Sequence, residues 1–85
     1  MAGYSLLIKP SAVKELEALP RKDRSRVVGR IQALATAPRP QGCEKLSGEE
    51  KYRVRQGEYR VLYAIDDKAG EVVVVKIGHR RDVYR

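Results

Sequence analysis

Tyr52-Arg53-Val54-Arg55-Gln56-Gly57-Glu58-Tyr59-Arg60-Val61-Leu62-Tyr63 is the stretch that decides the fold. Two segments of alternating residues flank Gly57-Glu58, a two-residue link with glycine first, as a type II′ hairpin turn requires. That turn sets the register: Gln56 faces Tyr59, Arg55 faces Arg60, Val54 faces Val61 and Tyr52 faces Tyr63. Residues directly opposite in a hairpin point to one side of the sheet. Tyr52, Val54, Val61 and Tyr63 therefore make an apolar face suited to a covering layer. Arg53, Arg55 and Arg60 gather on the other face. Like charges directly opposite are destabilising, so setting Arg55 against Arg60 sacrifices stability unless an anion binds there.

Downstream, Asp66-Asp67-Lys68-Ala69-Gly70 reads as a turn whose carboxylates only solvate it. Residues 72–77 form a near-continuous apolar run, the pattern of an interior strand. A short basic tail, His79-Arg80-Arg81-Asp82-Val83-Tyr84-Arg85, follows. Upstream, residues 38–51 read as a loop, with Leu46 as its anchor into the core. Val27, Val28, Ile31, Leu34 and Ala35 recur at helical spacing, as do Val13, Leu16 and Leu19, so two helices precede the loop. Pro20 separates them. Gly29 weakens the second helix by about 1 kcal/mol relative to alanine and leaves room for the first to pack closely. Residues 4–9 form an initial strand. The expectation is one α+β domain, residues 1–85, with two N-terminal helices packed on a mainly antiparallel four-stranded sheet in the order β-α-α-β-β-β.

Length and composition narrow the function. Eighty-five residues suit one modest core and are too few for a barrel enzyme. No run approaches the roughly 20 apolar residues of a membrane span. The first nine residues have neither the basic nor the apolar region of a secretory signal, so a cytoplasmic protein is expected. A single cysteine, Cys43, and a single histidine, His79, argue against a disulfide, a cysteine metal cluster or a zinc site. The net charge is +7, and residues 21–39 alone hold six Lys and Arg against one Asp. Such a balance favours a polyanionic partner.

Neither a Ser-His-Asp set, an acid–base carboxylate pair nor a glycine-rich phosphate loop is present. What remains is Arg53, Arg55, Arg60 and Arg80, with Tyr84, His79 and Arg81 beside them. Guanidinium forks bind phosphate bidentately and stabilise negative charge that develops in a phosphoryl transition state. Tyr84 fits stacking on a base, proton transfer, or a terminal apolar plug. His79 fits an acid or base, a phosphate contact, or a spacer.

These segments resemble the RelE toxins of the RelE/ParE superfamily, from bacterial type II toxin–antitoxin modules. The resemblance spans nearly the whole chain. It includes Pro10-Ser11-Ala12-Val13-Lys14-Glu15-Leu16 and Lys45-Leu46-Ser47-Gly48, and is strongest in residues 52–63 and in Gly78-His79-Arg80-Arg81-Asp82-Val83-Tyr84. It implies a ribosome-dependent endoribonuclease that cuts mRNA in the ribosomal A site and inhibits translation. Chemistry of that kind uses neither metal nor cofactor: the 2′-OH of the mRNA attacks the adjacent phosphate. Arg53 and Arg55 match basic positions that are often lysine in the family. Arg60 matches its phosphate-binding arginine, Arg80 its arginine near the end of the last strand, and Tyr84 its C-terminal tyrosine. RNA contacts are expected from Arg53, Arg55, Arg60, His79, Arg80 and Arg81. Arginine stays protonated in proteins, so the general base is left to Tyr84, His79 or the ribosome. The implied partners are a cognate antitoxin in a hetero-oligomeric complex, the ribosome and mRNA. Operator DNA is reached only through the antitoxin, and no membrane is involved. The alternatives are a ParE-type inhibitor of DNA gyrase and a non-catalytic RNA-binding module.

Overall fold

The computed structural model describes residues 3–46 and 50–83. A first strand, β1 (Ser5–Ile8), leads into helices α1 (Pro10–Glu17) and α2 (Arg21–Leu34). Four strands follow: β2 (Glu44–Lys45), β3 (Lys51–Gln56), β4 (Tyr59–Asp66) and β5 (Glu71–His79). Prolines punctuate the helical part. Pro10 lies in the first turn of α1 and Pro20 caps α2, positions where the missing N–H costs no hydrogen bond.

The strands form one sheet in the order β1-β5-β4-β3-β2. From β2 to β5 it is an antiparallel meander, and β1 closes it parallel to β5. The β3–β4 pairing matches the sequence reading: Tyr52 lies opposite Tyr63, Val54 opposite Val61, Arg55 opposite Arg60 and Gln56 opposite Tyr59. Gly57 has φ of 60°, and among the described residues none other than glycine has positive φ. A positive φ at only the first central position is the type II′ signature.

Both helices cover the face bearing Tyr52, Val54, Val61 and Tyr63. Ala12 of α1 and Val27, Ile31 and Leu34 of α2 join these residues with Ile65, Val72, Val74 and Ile77 in a single core. Each large apolar side chain buried there contributes about 1.5–3 kcal/mol. Tyr63 is fully buried yet keeps its hydroxyl satisfied by donating to the Pro38 carbonyl at 2.7 Å.

A register shift explains how β5 keeps its one charged interior residue out of this core. Leu62 pairs with Lys76 but Tyr63 pairs with Val74, so Val75 is the extra residue of a bulge. Without the shift, Lys76 would follow Val72 and Val74 onto the buried face; with it, Ile77 takes that place. Pairing with β1 ends at Val74. Beyond it, Glu15 of α1 accepts the Ile77 N–H at 2.9 Å, and its carboxylate lies 3.5 Å from Lys76 Nζ.

Four sequence expectations need correction. The sheet has five strands and not four, because Glu44 and Lys45 pair with Arg53 and Tyr52. Both are exposed and polar, so they carry no alternation to read. In that loop, Cys43 packs against the core, whereas Leu46 is half-buried and donates its N–H to the Lys51 carbonyl. Gly29 is exposed, and a Cβ there would meet nothing within 4 Å, so it permits no close helix packing. Asp67 does more than solvate a turn. It accepts from the Tyr4 hydroxyl at 2.7 Å and pairs with Arg39 at 2.8 Å, tying the chain start and the α2–β2 loop to the β4–β5 turn.

Candidate functional site

The outer sheet face, away from the helices, carries the arginines. On β3, Arg53 and Arg55 alternate with buried Tyr52 and Val54, so the same pleat that buries the tyrosine and valine turns both guanidinium groups outward. On β4, Arg60 lies opposite Arg55 on one side and Gly78 of β5 on the other. The strand ladder thus brings two like charges together and leaves the third neighbouring position without a side chain.

Carboxylates stand where a phosphate-binding set would be expected to be empty. Arg53 donates to Glu44 of β2 through Nε at 3.1 Å and Nη2 at 2.9 Å. That contact holds the Glu44 carboxyl below the usual carboxylate range, and Arg55 and Arg60 add to the effect. Arg80 is held by Glu58 at the β3–β4 turn: its Nε lies 2.7 Å from the carboxylate, and its backbone N–H donates to the Glu58 carbonyl. Glu44 and Glu58 were not anticipated from sequence. Glu58 sits inside the turn motif, so its nearness to Arg60 was legible; its pairing with Arg80 depends on the chain end folding back.

The structure separates the remaining candidates. Arg80 comes to the hairpin end of the sheet, beside the Arg55–Arg60 pair. His79 lies opposite Tyr59, on the helix side, with the two rings edge to face at 5.9 Å. Its Nδ1 accepts the Arg81 N–H at 3.2 Å, which leaves Nε2 to carry the proton of the neutral ring. Arg81 is exposed. Residues 79–83 form a turn in which Asp82 and Val83 both donate to the His79 carbonyl. Val83, 2% exposed, folds onto Gly78 and supplies the apolar plug of the tail. Tyr84 lies outside the described residues.

Among the described residues, no group of three or more His, Cys, Asp or Glu side chains is placed to hold a metal ion. None of their helices is long and apolar enough to cross a membrane.

Comparison with known proteins agrees with this architecture. Residues 6–84 match the family model described as the ParE toxin of the parDE type II toxin–antitoxin system. The toxin RelE of Mycobacterium tuberculosis is 32% identical, over 96% of this chain and 87% of its own length. Among solved structures, the RelBE2 toxin–antitoxin complex of the same organism contains a chain that superposes with a TM-score of 0.81. The two are 30% identical, over 92% of this chain and 99% of that one. The archaeal RelE–RelB complex of Pyrococcus horikoshii also gives 0.81, at 26% identity over 95% of this chain and 99% of that one. With a fold, a family model and full-length relatives in agreement, this chain belongs to the RelE/ParE superfamily as a RelE-like toxin of a type II toxin–antitoxin module.

Proposed function

We propose that this toxin is a ribosome-dependent endoribonuclease that cleaves mRNA in the ribosomal A site and so stops translation. The observation that carries the reading is the outward pair Arg55–Arg60, flanked by Arg53 and Arg80. A strand register that forces two guanidinium groups together is unfavourable alone and favourable around a phosphate.

In the proposed reaction the 2′-OH of one nucleotide attacks the adjacent phosphorus and loses its proton to a base. The bond to the 5′-oxygen breaks, and that oxygen takes up a proton. The products are a 2′,3′-cyclic phosphate and a free 5′-OH. Arg53, Arg55, Arg60 and Arg80 act by binding the phosphate and stabilising the extra negative charge of the pentacovalent transition state. Being always protonated, they do not serve as the base. His79 stands on the helix side of the sheet, so the geometry favours Tyr84 or a ribosomal group for proton removal. General acid–base help is worth about 10²–10⁴-fold. Tyr84 also suits stacking on a base, and Arg81 and His79 flank the path of the RNA at the chain end.

The implied partners are the ribosome, mRNA and a cognate antitoxin that blocks the arginine face and links the pair to operator DNA. The RelE relatives in the solved complexes are bound to RelB, which supports an antitoxin of that kind. The place of action is the cytoplasm, where ribosomes translate.

A second reading follows from the matching family model, whose description is that of ParE toxins: inhibition of DNA gyrase through protein contact. Mapping mRNA 5′ ends in a purified translation system separates the two. Cuts inside codons at the A site, only with ribosomes present, are expected. Uncut mRNA together with inhibited supercoiling by purified gyrase would replace the first reading with the second. Salt-sensitive RNA binding with neither effect would leave a non-catalytic RNA-binding module.

A further inference from the structure

A second concentration of positive charge lies on the opposite side of the molecule. Helix α2 carries Arg21, Lys22, Arg24, Arg26 and Arg30, against one acid, Asp23. Asp23 is turned to the Tyr59 hydroxyl at 3.4 Å. Val27, Ile31 and Leu34 bury the other side of the helix against the sheet, so the basic side faces away from Arg53, Arg55 and Arg60. Among the described residues none of the five cations is in an ion pair. Arg24 donates only to the Glu17 carbonyl at 3.3 Å.

Lys22, Arg26 and Arg30 recur every fourth residue and so form one row along the helix, rising about 6 Å per step. That step is comparable to the separation of successive phosphates along a nucleic-acid strand. The surface beside the row is made of Ser25, Gly29, Gln32 and Ala33, all exposed. It offers no large apolar or aromatic side chain to a protein partner, whose binding energy would concentrate on such anchors. A phosphate backbone needs no such anchor: neutralising phosphates and releasing counterions supplies the affinity.

We propose that the exposed side of α2 is a docking surface for the phosphate backbone of folded RNA, separate from the sheet face that takes the scissile strand. The inference rests on the RNA-directed reading above for the identity of the polyanion. On that reading the toxin is held between two RNA elements, with mRNA on the sheet and ribosomal RNA on the helix.

The test is the salt dependence of binding to purified ribosomes. It compares the wild-type toxin, Lys22→Gln/Arg26→Gln, and a control, Lys14→Gln/Lys68→Gln, that removes the same charge elsewhere. All four positions are exposed, and thermal melts check the fold. Each lost phosphate contact lowers the slope of log K against log salt by about 1. The α2 variant is therefore expected to lose about two from the slope and roughly tenfold in affinity, while the control changes little and turnover at saturating ribosomes stays as in wild type. Equal losses in variant and control would overturn the inference in favour of overall charge. An unchanged α2 variant would overturn it and leave the nuclease reading intact. Weakened antitoxin binding with ribosome binding intact would also overturn it and assign the surface to a protein. Wild-type toxin that binds ribosomes through α2 but cuts no mRNA would overturn the nuclease reading and keep this one. Toxin that binds no ribosomes would overturn both.

Discussion

The two basic surfaces of this toxin carry the same kind of charge under different constraints. On the sheet, Arg53 and Arg80 are each held by a carboxylate, from Glu44 and Glu58, and Arg55 is pinned opposite Arg60 by the ladder. On α2, five cations stand along 14 residues with no carboxylate paired to them among the described residues. The sheet set is positioned before any ligand arrives, and its carboxylates hold places that a phosphate can take over. The α2 set is unneutralised and mobile in its rotamers, which suits attraction at a distance more than fine geometry. Positioned charge serves a reacting phosphate; unpaired charge serves a backbone that only needs to be held.

Substitution of Arg60 is the strongest way to break the contrast. Arg60→Ala is expected to lower mRNA cleavage by about 10²–10³-fold, the scale for removing one preorganised donor to a developing oxyanion. Melting temperature and ribosome binding should stay near wild type. Single-turnover cleavage on programmed ribosomes measures this, and loss of ribosome binding in step with cleavage would erase the distinction between the surfaces.

Gly29→Ala probes α2 as a support. The site is exposed with open space around it, so alanine is expected to stabilise the protein by about 1 kcal/mol through helix propensity. Urea denaturation reads this directly, and cleavage should be unchanged.

Glu44→Gln tests whether the sheet carboxylates compete with phosphate. The pair is half exposed, and such pairs are worth about 0.2–1 kcal/mol. Removing the competing charge is therefore expected to tighten binding of a short single-stranded RNA by about two- to fivefold, and the gain should vanish in an Arg53→Ala background. Cleavage abolished with binding retained would instead place the Glu44 carboxylate in the chemistry.

The smallest effect is that of acid. The Glu44, Glu50 and Asp67 carboxyls are all held below their usual range, chiefly by hydrogen bonds from Arg53, Tyr52 and Arg39 respectively. Groups whose folded pKa is depressed stabilise the fold above their unfolded value, and that stability is lost as pH falls through the folded one. Melting temperature should therefore be level near neutrality and decline below about pH 4. Arg39→Ala should flatten the part of the decline that belongs to Asp67.

Local rules made the hairpin legible. Gly57 required one turn type, the turn imposed one register, and alternation sorted Tyr52, Val54, Val61 and Tyr63 from Arg53, Arg55 and Arg60. The helices were legible for the same reason, since their apolar stripes repeat within a few residues. Features built by partners distant in sequence escaped that reading. Strand β2 has no apolar alternation and exists because Arg53 and Tyr52 lie beside it. The role of Asp67 depends on Arg39 and Tyr4, 28 and 63 residues away. Likewise, Val83 and not its neighbour was seen to plug the tail.

The sequence by itself determined the two faces of the sheet, the pairing of Arg55 with Arg60 and the basic character of α2, because each follows from periodicity and turn chemistry along a short stretch of chain. Only the tertiary structure decided that Glu44 and Glu58 partner the site arginines, that His79 turns to the helix side, and that the two basic surfaces point in opposite directions. Those outcomes depend on how separate elements pack around one core, and the free energy of burying that core is spread over contacts that no single segment encodes.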